Sequence, residues 1–355
     1  MKRNLTLLLC LLGSVASAMA DAGRFIDPLD QPAFISSQTR SSVLLGVASA
    51  GKRQVAVGAW GRILLSDEQG QNWVQVPTPV SSDLTAVMFP TATSGWAVGH
   101  DGVVLHSEDG GLTWTKQLDG RDIAKMLVPY YEKQKQSGDS AAADILEEMT
   151  QLAAEPPAFP LMDVWFRNER EGFVVGAFNL ILHTRDGGAT WQPWMERTDN
   201  PRRYHLYSIK GSGDDIYVAG ELGLLLKLDE HAQRFTALPS PYNGTFFGVI
   251  AQGARLIAFG LRGNAYESLD AGQNWRRLEN TSETTLVAGV FLPGGKAMLL
   301  DQEGFLLDVS PASAVLRRVA GPLPFPAFSL AAPAGASELV LVGPAGAHSA
   351  PRGDD

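Results

Sequence analysis

One turn is written into this chain several times over, and it limits the possible folds more than any other feature. It reads Ser107-Glu108-Asp109-Gly110-Gly111-Leu112-Thr113-Trp114, then Thr184-Arg185-Asp186-Gly187-Gly188-Ala189-Thr190-Trp191, then Ser268-Leu269-Asp270-Ala271-Gly272-Gln273-Asn274-Trp275. A looser copy is Ser66-Asp67-Glu68-Gln69-Gly70-Gln71-Asn72-Trp73. The acidic side chain can accept backbone N–H bonds inside a tight turn, and the glycine two residues later can take a positive φ without a Cβ clash. Ser and Thr hydroxyls add local bonds, and the indole covers the turn. Asp109, Asp186 and Asp270, with Trp114, Trp191, Trp275 and Trp73, are therefore read as structural staples. Self-similarity at a fixed period makes the chain one repeat array, whose function must sit on the loops or clefts of that array.

The repeat is longer than the turn. A Val-rich or Phe-rich strand ending in glycine precedes each copy, as in Val55-Ala56-Val57-Gly58, Trp96-Ala97-Val98-Gly99, Val174-Val175-Gly176, Val218-Ala219-Gly220 and Ile257-Ala258-Phe259-Gly260, with Met298-Leu299-Leu300-Asp301 a degenerate member. These marker positions recur about every 40 residues, with one gap of about 77. Four short strands per unit of that length is the pattern of a propeller blade. Seven units begin near Val43, Leu84, Leu161, Leu206, Phe246, Leu286 and Phe328. The expected fold is all-β: a seven-bladed β-propeller over residues 21–355. The last unit has room for about three strands, so Phe25–Ile35 is expected to supply its missing outer strand and close the ring.

The long gap, residues 121–157, breaks the pattern. Ile123, Met126, Leu127, Tyr130 and Tyr131 recur at helical spacing, and Ile145, Leu146, Met149 and Leu152 form a second apolar stripe before Pro156-Pro157. This predicts a helical hairpin inserted between the second and third blades, packed on the propeller rim or offered to a partner helix.

Strand order assigns the loops to faces. The Asp-containing turns join third to fourth strands and lie on one face. Loops after each marker glycine and the blade-to-blade links, the hairpin among them, lie on the other. That second face carries Trp60, His100, Asp101, Phe178, Asn179, Glu221, Arg262, Gln302 and Glu303, and the link bearing Arg202 and Arg203. Binding sites favour loops on a rigid scaffold, so these residues are the candidate partner-binding set.

The first 20 residues read as a signal peptide: Lys2 and Arg3, an apolar run from Leu5 to Val15, then Ala16-Ser17-Ala18-Met19-Ala20, with cleavage expected after Ala20. A periplasmic or secreted location follows. The single cysteine, Cys10, lies inside this segment, so the exported chain would have neither disulfides nor thiolate metal sites. The formal charge of −9, made two units more negative by the loss of Lys2 and Arg3, argues against nucleic acid. Zinc-ligand spacing, a Walker loop and a dinucleotide fingerprint are all missing from the sequence. No metal or cofactor is expected, and a monomer is.

The S-x-D-x-G-x-T-W turns are similar to the Asp-box, or BNR, repeats of sialidases. The longer unit in Val98–Trp114 and Val175–Trp191 more closely resembles the photosystem II stability/assembly factor family. That resemblance implies a non-enzymatic propeller that binds a protein partner and assists a membrane complex. It also implies, for exported members in non-photosynthetic bacteria, an association with RND-type transporters. Blades four and six depart from the pattern at Lys227-Leu228-Asp229-Glu230-His231 and Asp308-Val309-Ser310-Pro311. The alternatives are a sialidase-like glycosidase or a carbohydrate-binding propeller. Sialidase chemistry requires three arginines around a carboxylate and a Tyr–Glu nucleophile pair. This face supplies only Arg262 and Arg202 or Arg203, and Arg24-Phe25-Ile26-Asp27-Pro28 only loosely echoes the sialidase start signature.

Overall fold

The computed structural model describes residues 25–36, 42–138, 140–154, 159–310, 313–323 and 325–352. The expected signal peptide with Cys10, and the Pro156-Pro157 stop, lie outside them.

Seven antiparallel sheets in sequence order make a β-propeller. The first is built from Leu44–Ala50, Arg53–Gly58, Ile63–Ser66 and Val74–Val76, paired in that order from the centre outward. The innermost strands of the next six are Leu84–Met88, Leu161–Phe166, Leu206–Ser212, Phe246–Gln252, Leu286–Phe291 and Ser329–Ala331, matching the predicted starts of the units. Six of the sheets have four strands, each joined to the next by a hairpin.

Neighbouring blades pack face to face, which is why their strands read as nearly continuous apolar runs instead of alternating. Arg53–Gly58, for example, buries everything after its first residue. Separate clusters of buried side chains fill the gaps between blades all the way round. Each fully buried Val, Leu or Phe there is worth about 1.5–3 kcal/mol. The inner strands enclose a channel of about 440 Å³, lined from every blade, for instance by Ala48, Thr85, Asp163, Ser208, Phe247, Ala288 and Ser329.

The expected closing strand is not where the sequence put it. Among the described residues the seventh sheet has three strands, Ser329–Ala331, Glu338–Gly343 and Gly346–Pro351. The segment Phe25–Ile35 instead runs along the outer edge of the first blade. There Ala33 N donates to Thr78 O at 3.2 Å and Ser81 N to Pro28 O at 2.8 Å. Gln75 Nε2 donates to Phe34 O at 2.9 Å.

The reason is local. Pro28 and Pro32 remove donors that a ladder needs. Leu29, 1% exposed, fills the gap between blades one and two, and Asp30 receives a two-pronged bond from Arg121, both at 2.8 Å. The ring is closed by packing: Leu44, Val47, Ala56, Leu64 and Trp73 of the first blade share one core with Ala331, Val340 and Val342 of the seventh.

The inserted hairpin comprises α1 (Gly120–Gln136) and α2 (Ser140–Ala153). Asp119 caps α1 by accepting from Arg121 N at 2.9 Å. Burial of the Asp119 carboxyl opposes its ionisation, yet hydrogen bonds from Arg121 and Lys116 hold it well below the usual carboxylate range. Ile123, Leu127 and Tyr131 of α1 and Ile145 and Met149 of α2 belong to the same buried cluster as blades two to four. Tyr130 and Tyr131 donate to the two oxygens of Glu196, each at 2.8 Å, and Arg203 pairs with Glu148 of α2. The apolar stripes thus pack onto the propeller, the first of the two arrangements the sequence allowed.

Candidate functional site

The two faces of the propeller are built by different turns. On one face, the repeated turns share a single hydrogen-bond plan. Ser107 Oγ receives Gly111 N at 2.8 Å; Asp109 receives Thr113 N at 2.9 Å and Thr113 Oγ1 at 2.6 Å; and Trp114 Nε1 donates to Gly111 O at 2.9 Å. Asp186 and Asp270 repeat the plan with Thr190 and Asn274. In the first blade Gly70 N and Trp73 Nε1 keep it, while Glu68 replaces the aspartate. Thr190 lowers the Asp186 pKa, and Asn274 pulls that of Asp270 down to about 2. These carboxylates are committed to their own turns.

On the opposite face, the loops after the marker glycines are two-residue type I′ turns. Their central pairs are Trp60-Gly61, Asp101-Gly102, Phe178-Asn179, Leu222-Gly223 and Arg262-Gly263, all at positive φ. A backbone bond closes each, such as Leu180 N to Ala177 O at 2.9 Å and Leu224 N to Glu221 O at 2.9 Å. The second position is glycine for a steric reason: a Cβ on Gly61 would meet Val80 O at 2.0 Å. The first position normally takes Asn, Asp or Gly, and only Asp101 obeys. Trp60 (φ 65), Phe178 (φ 56) and Leu222 (φ 49) hold bulky side chains in a region that costs such residues roughly 1–2 kcal/mol each. Those side chains are 69%, 38% and 57% exposed.

Two of the tips are held from the next link. Trp60 N donates to Asp83 Oδ1 at 2.7 Å, and Phe178 N donates to His205 Nδ1 at 2.8 Å, which places the proton of a neutral His205 on Nε2. From Phe178 a line of edge-on ring contacts leads inward: Phe178 to His205 at 4.8 Å, His205 to Tyr207 at 6.2 Å, and Tyr207 to Phe247 in the channel at 5.2 Å. Burial, and then Glu221, push the Tyr207 pKa up.

The other residues singled out from the sequence fall into two groups. His100 and Arg262 are exposed, and Arg202 is exposed with Nη1 donating to Tyr204 Oη at 2.9 Å. Asp101 accepts from Ser82 Oγ at 2.7 Å. Glu221 and Arg203 are committed internally, Glu221 to His205 N at 2.9 Å and Arg203 to the hairpin.

Asn179 departs furthest from expectation. It is 2% exposed, donates to Met195 O at 3.1 Å and accepts from Asn200 Nδ2 at 2.9 Å. It occupies the glycine position of its turn and ties down the following link. Leu222 and Leu261 were missed, although Glu221-Leu222-Gly223 repeats Ala59-Trp60-Gly61 and so marks Leu222 as a loop tip.

The channel offers little for glycoside chemistry. Among the described residues no arginine lines it, and the one carboxylate there, Asp163, receives Lys210 Nζ at 2.6 Å and Ile209 N at 2.9 Å. Of the Tyr–Glu groupings, Tyr130 and Tyr131 on Glu196 form the hairpin joint, with Tyr131 fully buried, and Tyr207, which lines the channel, meets Glu221, whose carboxylate already accepts from His205 N. Among the described residues no group of three or more His, Cys, Asp or Glu converges as for a metal, and no helix is long and apolar enough to cross a membrane.

Fold and faces together define a seven-bladed Asp-box propeller whose two faces are built from different turns. Part of the chain is similar to the photosystem II assembly factors: residues 146–277 match the family described as photosynthesis system II assembly factor YCF48. It is 31% identical over 124 residues to the photosystem II assembly lipoprotein Ycf48 of Synechococcus sp. (strain CC9902), covering 34% of this chain and 37% of that one. It is 24% identical over 240 residues to the photosystem II stability/assembly factor HCF136 of Arabidopsis thaliana, covering 59% of this chain and 57% of that one. The chain therefore spans roughly a third to three-fifths of these relatives. Among solved structures, YCF48 bound to a D1 peptide superposes with a TM-score of 0.64 at 13% identity, over 93% of this chain and 96% of that one. The WD40 propeller domain of Doa1 gives 0.60 at 10% identity, over 90% and 95%. At such identities the structural matches speak to the fold, and the fold agrees.

Proposed function

We propose that this chain is a non-enzymatic factor, exported to the periplasm or beyond, that binds a protein partner on its insertion face and assists a membrane-associated complex. The observation that carries this reading is the placement of Trp60, Phe178 and Leu222. Each sits at a turn position where its own backbone preference is violated, and each points a large apolar surface to solvent. Local strain of this kind is retained where the surroundings enforce it, and it clusters at ligand-contact sites; aromatic anchors of this type dominate protein interfaces. The relatives are named as assembly factors, and the YCF48 structure holds a peptide of D1; a segment of a membrane-complex subunit is the corresponding partner here. An RND-type transporter is the first complex to test.

The test is affinity capture from envelope extracts with the tagged chain and two variants. Trp60→Ala/Phe178→Ala/Leu222→Ala removes the tips. Leu112→Ser/Leu269→Ser alters exposed apolar residues on the Asp-box face. The same membrane-complex subunit is expected with wild type and the second variant, and is lost with the first. Equal capture by all three, with circular dichroism showing each folded, refutes the reading.

A further inference from the structure

We propose that a cleft between the sixth and seventh blades, on this same face, takes a cationic stretch of the partner in which Lys or Arg alternates with aliphatic residues. The inference rests on the insertion face being the binding face and adds the chemistry of what it grips. The cleft measures about 980 Å³, at the upper end of ligand-pocket sizes. Its apolar surface comes from Leu323, Phe325, Pro326 and Pro344, and its rim carries Glu283 and Glu303. Among the described residues no Lys, Arg or His lines it.

Both glutamates are exposed, and among the described residues neither pairs with a cation. Two carboxylates over low-dielectric walls focus a negative field, and the chain as a whole carries −9. A guanidinium can fork onto a carboxylate while its stem lies along apolar surface. A bare metal ion fits less well, because the acids stand on separate loops above an apolar floor.

The walls are pre-set. Phe325 is 8% exposed and stacks on His348 at 3.7 Å. Asp301, fully buried, accepts from Glu303 N at 3.0 Å and Phe305 N at 2.8 Å, which fixes the loop bearing Glu303. This is also where the repeat departs from its own rule, since Asp301 stands at the marker-glycine position and no full staple backs the sixth blade.

The test is fluorescence anisotropy with two labelled peptides of equal length, one alternating Arg and Val and the other Glu and Val. Wild type is expected to bind the Arg peptide at least about tenfold tighter than the Glu peptide, and less tightly as salt rises. Glu283→Lys/Glu303→Lys changes two exposed side chains and should retain the wild-type circular dichroism. It is expected to lose at least about tenfold for the Arg peptide, whereas Trp60→Ala should bind that peptide like wild type. Unchanged binding by the charge-reversed protein overturns the proposal, as does binding that follows Trp60 instead of the glutamates. If partner capture survives charge reversal but fails with the loop-tip variant, the cleft assignment falls while the face assignment stands; if it survives both, the face assignment falls.

Discussion

Trp114 and Trp191 occupy the same place in successive repeats, yet replacing each by phenylalanine should have unequal consequences. Both are nearly buried, 6% and 8% exposed, and both meet a phenylalanine edge-on, Phe89 at 5.9 Å and Phe166 at 6.1 Å. The volume lost on going to phenylalanine should therefore cost each about 1–2 kcal/mol. The indole nitrogens differ. Trp114 Nε1 donates to Gly111 O at 2.9 Å, whereas Trp191 Nε1 is buried with no partner. Trp114→Phe forfeits a bond worth about 1 kcal/mol and strands a carbonyl. Trp191→Phe removes an unpaired donor whose burial already costs about 1–3 kcal/mol. The net expectation is a loss of about 2–4 kcal/mol at Trp114, and at Trp191 a change between a loss of about 1 and a gain of about 2 kcal/mol. A gap of about 2 kcal/mol corresponds to roughly 3 °C in melting temperature for a chain of this size. Thermal melts followed by far-ultraviolet circular dichroism read it directly. Equal melting temperatures, or a larger drop for Trp191→Phe, would refute the assignment of hydrogen bonding as the difference between the two staples.

Three further outcomes follow from the same geometry. Asn274 holds the Asp270 carboxyl down at about 2, so its stabilisation is complete above the ordinary carboxylate pKa and disappears as pH falls toward 2; Asp270→Asn should lose less melting temperature than wild type between pH 5 and pH 2.5. Burial, with Arg185 and Arg197 nearby, lowers His183 to about 4. The unfolded chain then takes up a proton that the fold refuses, so stability should decline as pH drops from about 6.5 to 4 and level off below; urea titrations of His183→Gln should show a flatter decline. Tyr131→Phe breaks a buried bond to Glu196 and should cost roughly 1.5–3 kcal/mol, seen as faster amide exchange in α1, with a smaller effect for the partly exposed Tyr130→Phe.

The architecture was legible because its signals are local and repeated. Asp109 to Thr113 is a contact four residues apart, so the sequence prints both partners side by side. The hairpin was legible because helical spacing at Ile123, Leu127 and Tyr131 marks one face of α1. What it packs on was not, because Glu196 and the blade-three residues it meets lie far along the chain. The position of Phe25–Ile35 was misjudged for the same reason: counting strands finds a vacancy in the seventh blade but cannot weigh Leu29 filling the gap between blades one and two. Asn179 was readable in principle. Val175-Gly176-Ala177-Phe178-Asn179 aligns with Val98-Gly99-His100-Asp101-Gly102, and an asparagine standing for glycine signals a left-handed backbone position more than a contact residue. The cleft by Glu283 and Glu303 has no sequence signature, since its walls come from four separate loops.

The packed closure of the ring has a mechanical consequence. Among the described residues no strand from the N-terminal segment joins the seventh blade, which leans on the first through Val340, Val342 and Ala331 against Leu44, Val47 and Leu64. That joint can slide or part without any ladder being unzipped. Breathing of the circle is expected to begin at this joint, one blade away from the acidic cleft.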